Sequence, residues 1–299
     1  MTLEEKLWKT FNKALGQYQL IDEDDKILVG LSGGKDSLFL LEMLARRQHI
    51  LKPRFTLEAL HVRMTNVQYE TDTTYLQSFC DHLGVPLHII TTSFSPAPTA
   101  EASVSADAAV PSGAPVSTSA PVPAAASVSA DVAVPSGAPS AAPVPAAAPV
   151  PAVSTAGAIA GSKKPACFLC SWQRRKQLFN LAQELNCTKI AFGHHQDDII
   201  HTALMNLTFQ GHFSTMPAKL KMRKMPLTII RPLCLCQEDD IRQYAEEHHY
   251  EKQIQLCPYE HDTNRTTAQT LFQHMQQLSK EARYSIWHAL ESDEKLVEY

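Results

Sequence analysis

The chain has 299 residues, 19% of them charged, and a formal net charge of −4, which excludes a uniformly basic nucleic-acid binder but not charge concentrated where a polyanion docks. From 93 to 164 the sequence is almost wholly Ala, Pro, Val, Ser and Thr, so roughly 230 residues remain to build a core, enough for one well-buried domain. The opening residues from Met1 to Lys9 mix charged and apolar side chains without the apolar run of a signal peptide. Prolines every few residues keep the 93–164 tract from forming a lipid-spanning helix. A cytoplasmic protein with no membrane association is expected. Seven cysteines in this setting favour thiol or metal chemistry over a disulfide framework.

In chain order, Leu3, Leu7, Phe11 and Leu15 share one stripe and predict an amphipathic helix over 3–18. A strand over 26–31 follows, then a helix over 36–47 carried by Leu38, Leu41 and Leu44. Composition predicts a strand over 55–62, a helix over 71–83 and a strand over 86–92. Beyond the tract come a helix over 170–185, a strand over 189–192, a helix over 195–207, a strand over 227–232 and a helix over 238–249. The remainder reads as helical with loops. Strands alternating with helices imply an α/β fold, an open parallel five-stranded sheet with helices on both faces.

Inside the tract, 102–115 recurs as 126–139 with one change. The duplicated segment is too rich in proline for a core and reads as a disordered or polyproline-like insertion without catalytic residues. The chain therefore divides into 1–92, holding the first helix and half of the α/β domain; the insertion 93–164; and 165–299, holding the second half and a C-terminal helical segment.

Val29-Gly-Leu-Ser-Gly-Gly-Lys-Asp-Ser37 joins the first strand to a helix. Glycines let backbone N–H groups converge on an anion, and the helix N-terminus adds partial positive charge. A Walker loop would place Ser or Thr directly after the lysine to hold magnesium; here Asp36 follows Lys35, which disfavours kinase-type ATPases. The string Ser32-Gly33-Gly34-Lys35-Asp36-Ser37 instead resembles the PP-loop of the ATP-pyrophosphatases, which release pyrophosphate and leave an adenylated intermediate.

Cys167-Phe-Leu-Cys170 sits at a helix start, where two thiolates can face one site; alone, the pair is compatible with zinc, redox chemistry or burial. Gly193-His-His-Gln-Asp-Asp198 follows one strand later, and Cys257-Pro-Tyr-Glu-His-Asp-Thr-Asn-Arg265 later still. Together with Ile230-Arg-Pro-Leu233 and Met216-Pro-Ala-Lys-Leu220, these resemble the tRNA 2-thiocytidine synthetase family of PP-loop enzymes over essentially the whole chain outside the insertion. The insertion itself departs from the family pattern.

The resemblance implies an adenine nucleotide α-hydrolase-like fold and a [4Fe-4S] cluster on Cys167, Cys170 and Cys257, with one iron free to carry sulfur. It implies ATP held by the loop residues with His61, Gly193 and Asp198, and magnesium at Asp36 and Asp198. The substrate would be a cytidine in a tRNA anticodon loop, at position 32. Its O2 would attack the α-phosphorus of ATP, and sulfur from a cysteine desulfurase would replace it. Lys35, Asp36 and the three cysteines would carry the catalysis. Arg174, Arg175, Lys219, Lys221, Arg223 and Lys224 form two basic clusters suited to an RNA backbone. A homodimer is compatible with this reading.

Asp197 and Asp198 suit magnesium but also suit a helix start. Cys234 and Cys236 raise a rival, a four-thiolate zinc site, while Cys80 and Cys187 read as core. Two other functions stand beside the first: a PP-loop ligase or amidation-type tRNA-modifying enzyme with structural zinc, and a catalytically idle tRNA-binding protein.

Overall fold

In the strands, neighbouring residues bury into two different apolar clusters, as the period of two requires. Ile27 and Val29 join one, Leu28 the other; Ala191 joins the first, Ile190 the second. A sheet buried on both faces is the result. The computed structural model describes residues 1–50, 52–65, 72–93, 166–251 and 264–298, without the side chains of 166 and 167. The insertion beyond Ser93 lies outside the described residues, as does Cys257. Everything described here belongs to one unit, 1–99 with 157–299.

The elements are α1 (Leu3–Gln17), β1 (Asp25–Gly30), α2 (Lys35–Gln48), β2 (Phe55–Met64), α3 (Thr73–Leu83), β3 (Leu87–Thr92), α4 (Ala166–Glu184), β4 (Lys189–Ala191), α5 (Gln196–Met205), β5 (Lys219–Lys221), β6 (Thr228–Ile230), α6 (Glu238–Glu247), α7 (Asn264–Leu278), α8 (Ala282–Ser292) and β7 (Val297–Glu298). A π-helical turn, Asn206–Gln210, extends α5. The sheet order is β3-β2-β1-β4-β6-β5-β7. β1 to β4 and β6 pair in parallel, whereas β5 runs antiparallel to β6.

The α/β class, the five expected strands and the covering of both faces are as the sequence implies. The strand count is not: β5 and β7 add two, making seven. Both are too short, at three and two residues, for alternation to show. Lys219 and Lys221 therefore lie on a strand rather than in a connecting segment.

Local chemistry explains the ends of the helices. Thr2 and Glu5 close a capping box on α1, and Asp72 caps α3, which stops at the left-handed Gly84. Helix α2 differs: its N-cap is Gly34, and no side chain caps it. Among the described residues, no helix is long and apolar enough to cross a membrane.

Candidate active site

The strand order reverses between β1 and β4: β2 and β3 lie to one side of β1, while β4 and β6 lie to the other. In parallel sheets ligands bind outside the carboxyl ends of the strands at such a switch point. The segment from Leu31 to Gly34 leaves β1 there, and the one from Phe192 to His195 leaves β4 there.

Gly33 takes φ +86°, a left-handed value that an L side chain rarely adopts. The Ser32 and Ser37 hydroxyls lie 3.1 Å apart, the Ser32 N–H donates to Ser37 Oγ at 3.2 Å, and Ser37 Oγ donates to Gly34 O at 2.9 Å. The two serines thus brace the turn internally. The Ser37 N–H donates to Gly34 O at 3.0 Å, and the Lys35 and Asp36 N–H groups, with no side-chain cap, are left to an external acceptor.

Gly193 is required by close approach. A Cβ there would sit 2.9 Å from Asp36 O and 3.1 Å from Ser37 N, so the β4 exit packs directly on the first turn of α2. His61, fully buried on β2, has Nδ1 2.9 Å from Leu31 O and ties the strand to the loop. Burial pulls its pKa down, and the nearby Arg174 charge adds to this. His61 and Gly193 thus support the loop.

Lys35 Nζ lies 3.2 Å from Asp36 Oδ2 and 3.2 Å from Glu238 Oε1. Burial lowers the lysine pKa, but the two carboxylates outweigh it and hold the group above its ordinary value. Asp36 Oδ1 is buried without a partner, a donor atom that a cation or water would satisfy.

Helix α5 opens beside the loop. His195 is its N-cap, with its own N–H donating to Asp198 Oδ2 at 3.1 Å. Asp198 Oδ1 accepts from Arg265 on α7. Asp197 accepts from Arg283 Nη2 at 2.6 Å and from the Glu238 N–H at 2.9 Å. Burial raises the Asp197 pKa, but Arg283 overrides it and the net direction is down. Both acids are buried and paired with arginines, so a cation at Asp198 has to compete with Arg265. His194 has a buried, unpartnered Nδ1, and burial with the neighbouring Arg231 charge lowers its pKa to about 4. Arg231 follows β6 directly; it is buried, donates to Pro217 O at 2.5 Å and keeps an unpartnered Nε.

Of the three cysteines expected to act together, only Cys170 has a described side chain; it is half-buried against the apolar cluster beneath α4. Cys167 lies one turn earlier on the same helix, so the two positions are surface neighbours. A Cβ built on Gly30 would touch Leu178 of α4 at 3.7 Å. Cys170 is eight residues before Leu178 on a helix that descends to β4, so it stands about 12 Å further along the helix, above the carboxyl edge.

The zinc alternative fares differently. Cys234 and Cys236 are fully buried in the cluster on the opposite face of the sheet from Cys170. Burial pushes Cys236 up to about 12 and raises Cys234 well above the usual thiol value. Cys80 and Cys187 are buried as expected, each pushed to about 11 by burial. Among the described residues no group of three metal-binding side chains comes together.

The two basic clusters separate. Arg174 and Arg175 lie on α4 between Leu178 and Cys170, on the loop's side, with Arg175 exposed. Lys221 pairs with Thr228, the first residue of β6, which pairs with Lys189, the first of β4. Lys221, Arg223 and Lys224 therefore lie toward the amino edge, away from the loop. Lys219 donates to Gln19 O at 2.6 Å and is engaged within the fold.

Sequence reasoning missed Glu238 and Arg283, and quoted Arg231 and Arg265 only as motif members. The roles of Glu238, Arg283 and Arg265 depend on pairings 67 to 203 residues apart, and local pattern carries no signal for them.

Comparison with known proteins agrees with this geometry. Residues 2–108 match the PP-loop domain family. The chain is 31% identical over 243 residues to a tRNA-cytidine(32) 2-sulfurtransferase of Cellvibrio japonicus, covering 81% of this chain and 61% of that protein. It is 26% identical over 291 residues to the protein of the same name from Pseudomonas syringae pv. syringae, covering 97% and 84%. The chain thus spans about three fifths of the length of several such relatives. In fold it is similar to the U34-tRNA thiolase NcsA from Methanococcus maripaludis, solved with its [4Fe-4S] cluster. The TM-score is 0.61 at 21% identity, covering 97% of this chain and 78% of that one. Over residues 2–108 the chain is similar to the PP-loop domain family, and over most of its length it is similar to the tRNA-cytidine(32) 2-sulfurtransferases.

Proposed function

We propose that this protein is an ATP-dependent tRNA sulfurtransferase that adenylates the cytidine at position 32 of the anticodon loop and replaces its O2 with sulfur. The observation that carries this reading is one of placement. The uncapped loop Ser32–Ser37 stands at the switch point of the sheet, and the helix bearing Cys167 and Cys170 rises above the same edge.

In this reading the N–H groups of α2 and Lys35 hold the phosphates of ATP. Asp36, through its unpartnered oxygen, serves magnesium, and Asp198 joins it by exchanging Arg265. Cytosine O2 attacks the α-phosphorus and pyrophosphate leaves; sulfide then attacks C2 and AMP departs with the former O2. Charge developing on the phosphate oxygens is met by donors already fixed in place. Cys167, Cys170 and Cys257 would hold a [4Fe-4S] cluster that supplies the sulfur when bound, the sulfide coming from the persulfide of a cysteine desulfurase together with a two-electron thiol reductant. Arg174 and Arg175 would steer the RNA backbone toward the edge. A homodimer and a cytoplasmic location fit this activity.

Anaerobic purification with iron, labile sulfide and zinc quantified together tests the metal part. Iron and sulfide near four each per chain, lost in Cys170→Ser, are expected for one such cluster. Stoichiometric zinc without iron would replace this reading with the ligase type.

A further inference from the structure

Glu238 belongs to no motif, yet it touches the loop. It is the first residue of α6, and its Oε1 lies 3.2 Å from Lys35 Nζ. Its own N–H donates to Asp197 Oδ2 at 2.9 Å, and Asp197 Oδ1 accepts from Arg283 at 2.6 Å. The main chain that carries this carboxylate is thus anchored by part-buried bonds. The Lys35 and Glu238 side chains are 29% and 32% exposed, so a ligand can reach the contact. With Asp36 also 3.2 Å from the ammonium, two carboxylates surround one cation before any polyphosphate arrives.

An anion entering the loop therefore meets a lysine whose counter-charge the protein already supplies. We propose that Glu238 is a specificity-determining residue, an internal counter-anion that a polyphosphate must displace from Lys35, so that the loop retains magnesium-bound ATP and rejects bare polyanions. The inference rests on the loop being an ATP site. Its physical basis is Coulombic: one fixed negative charge about 6 Å from one phosphate charge is worth about tenfold in binding at a dielectric of about 40, between protein surface and bulk water. Magnesium offsets most of that repulsion by neutralising the ligand.

Calorimetry on the full chain decides it, with pyrophosphate and ATP each titrated in EDTA and ATP titrated again with magnesium. Glu238→Gln keeps the main-chain bond to Asp197, and Asp239→Asn makes the same charge change on the neighbouring residue. Glu238→Gln is expected to bind pyrophosphate and metal-free ATP about tenfold tighter, with magnesium-ATP changed by no more than about twofold. Unchanged or weaker pyrophosphate binding overturns the proposal, as does an equal gain in Asp239→Asn.

A second readout needs no nucleotide: the acylation rate of Lys35 by acetic anhydride, followed by peptide mass spectrometry. Glu238 Oε1 holds the ammonium at 3.2 Å and shields it from the reagent, so Glu238→Gln should acylate several-fold faster than wild type and Asp239→Asn should not. Should wild type bind no ATP in either buffer, the ATP reading fails, while equal acylation rates would overturn the Lys35–Glu238 contact independently.

Discussion

The Lys189 network at the amino edge of the sheet and the loop at its carboxyl edge treat buried polar groups in opposite ways. At the amino edge Lys189 is almost fully buried, and its ammonium lies 2.7 Å from Asp22, 2.7 Å from Asp25 and 2.9 Å from Leu20 O. Asp25 also accepts from Thr188 at 2.6 Å and from the Asp22 N–H at 2.6 Å. At the carboxyl edge Asp36 Oδ1, His194 Nδ1 and Arg231 Nε are buried without partners, and the α2 N-terminus is uncapped. Buried polar atoms are normally satisfied because leaving one unmet costs about 1–3 kcal/mol. Arg47 Nη1, at the amino-edge end of α2, is also buried without a partner, so the contrast lies between two clusters: the satisfied network around Lys189 marks structure, and the unmet groups gathered at the loop mark a place where a ligand finishes the bonding.

Breaking the satisfied network should cost the most stability. Lys189→Met leaves the Asp25 carboxylate buried without its cation, and a loss of about 3 kcal/mol or more is expected by denaturant unfolding. ATP affinity per folded molecule should change little. A comparable loss of affinity would show that the edges are coupled.

Gly193→Ala should do the reverse. Its Cβ would meet the α2 backbone at 2.9 Å, so the first turn must shift. Overpacking costs about 1–3 kcal/mol, and ATP binding should fall at least tenfold by calorimetry, a larger functional effect than that of Lys189→Met.

The basic clusters give a smaller contrast. Arg174→Ala with Arg175→Ala should weaken tRNA binding and reduce the salt slope of log Kd by about 1 to 2. Lys221→Ala with Arg223→Ala, toward the amino edge, should change that slope less. Equal effects in a filter-binding series would mean that the RNA spans both edges.

A pH dependence, silent at neutral pH, completes the contrast. Burial lowers the folded pKa of His194 to about 4, from the ordinary 6.5. Between those values the unfolded chain binds more protons, so stability must decline as pH falls from about 6.5 toward 4. His61, lowered in the same direction, adds to it. His194→Gln should flatten part of this slope in thermal melts taken across that range; an unchanged slope would assign it to other groups.

Much of this was legible in the sequence because it is local. The strand-to-helix loop, the alternation of Ile27, Leu28 and Val29 and the stripe of α1 are each set by neighbours within a few residues. Gly193 stood in a motif, but its reason, contact with Asp36 O, is not local. Glu238 on Lys35, Arg265 on Asp198 and Arg283 on Asp197 arise only when α6, α7 and α8 fold back over the carboxyl edge. The second basic cluster looked like the first in sequence; only the antiparallel turn of β5 takes it away from the loop.

The central claim is that the cluster at the loop activates a tRNA cytidine for sulfur replacement. The direct measurement is nucleoside mass spectrometry of tRNA incubated anaerobically with the iron-loaded protein, ATP, magnesium and sulfide, with pyrophosphate counted in parallel. The account predicts 2-thiocytidine at position 32, with one pyrophosphate released per sulfur incorporated and neither product formed by Lys35→Ala. Pyrophosphate released with a sulfur-free modified nucleoside would contradict it.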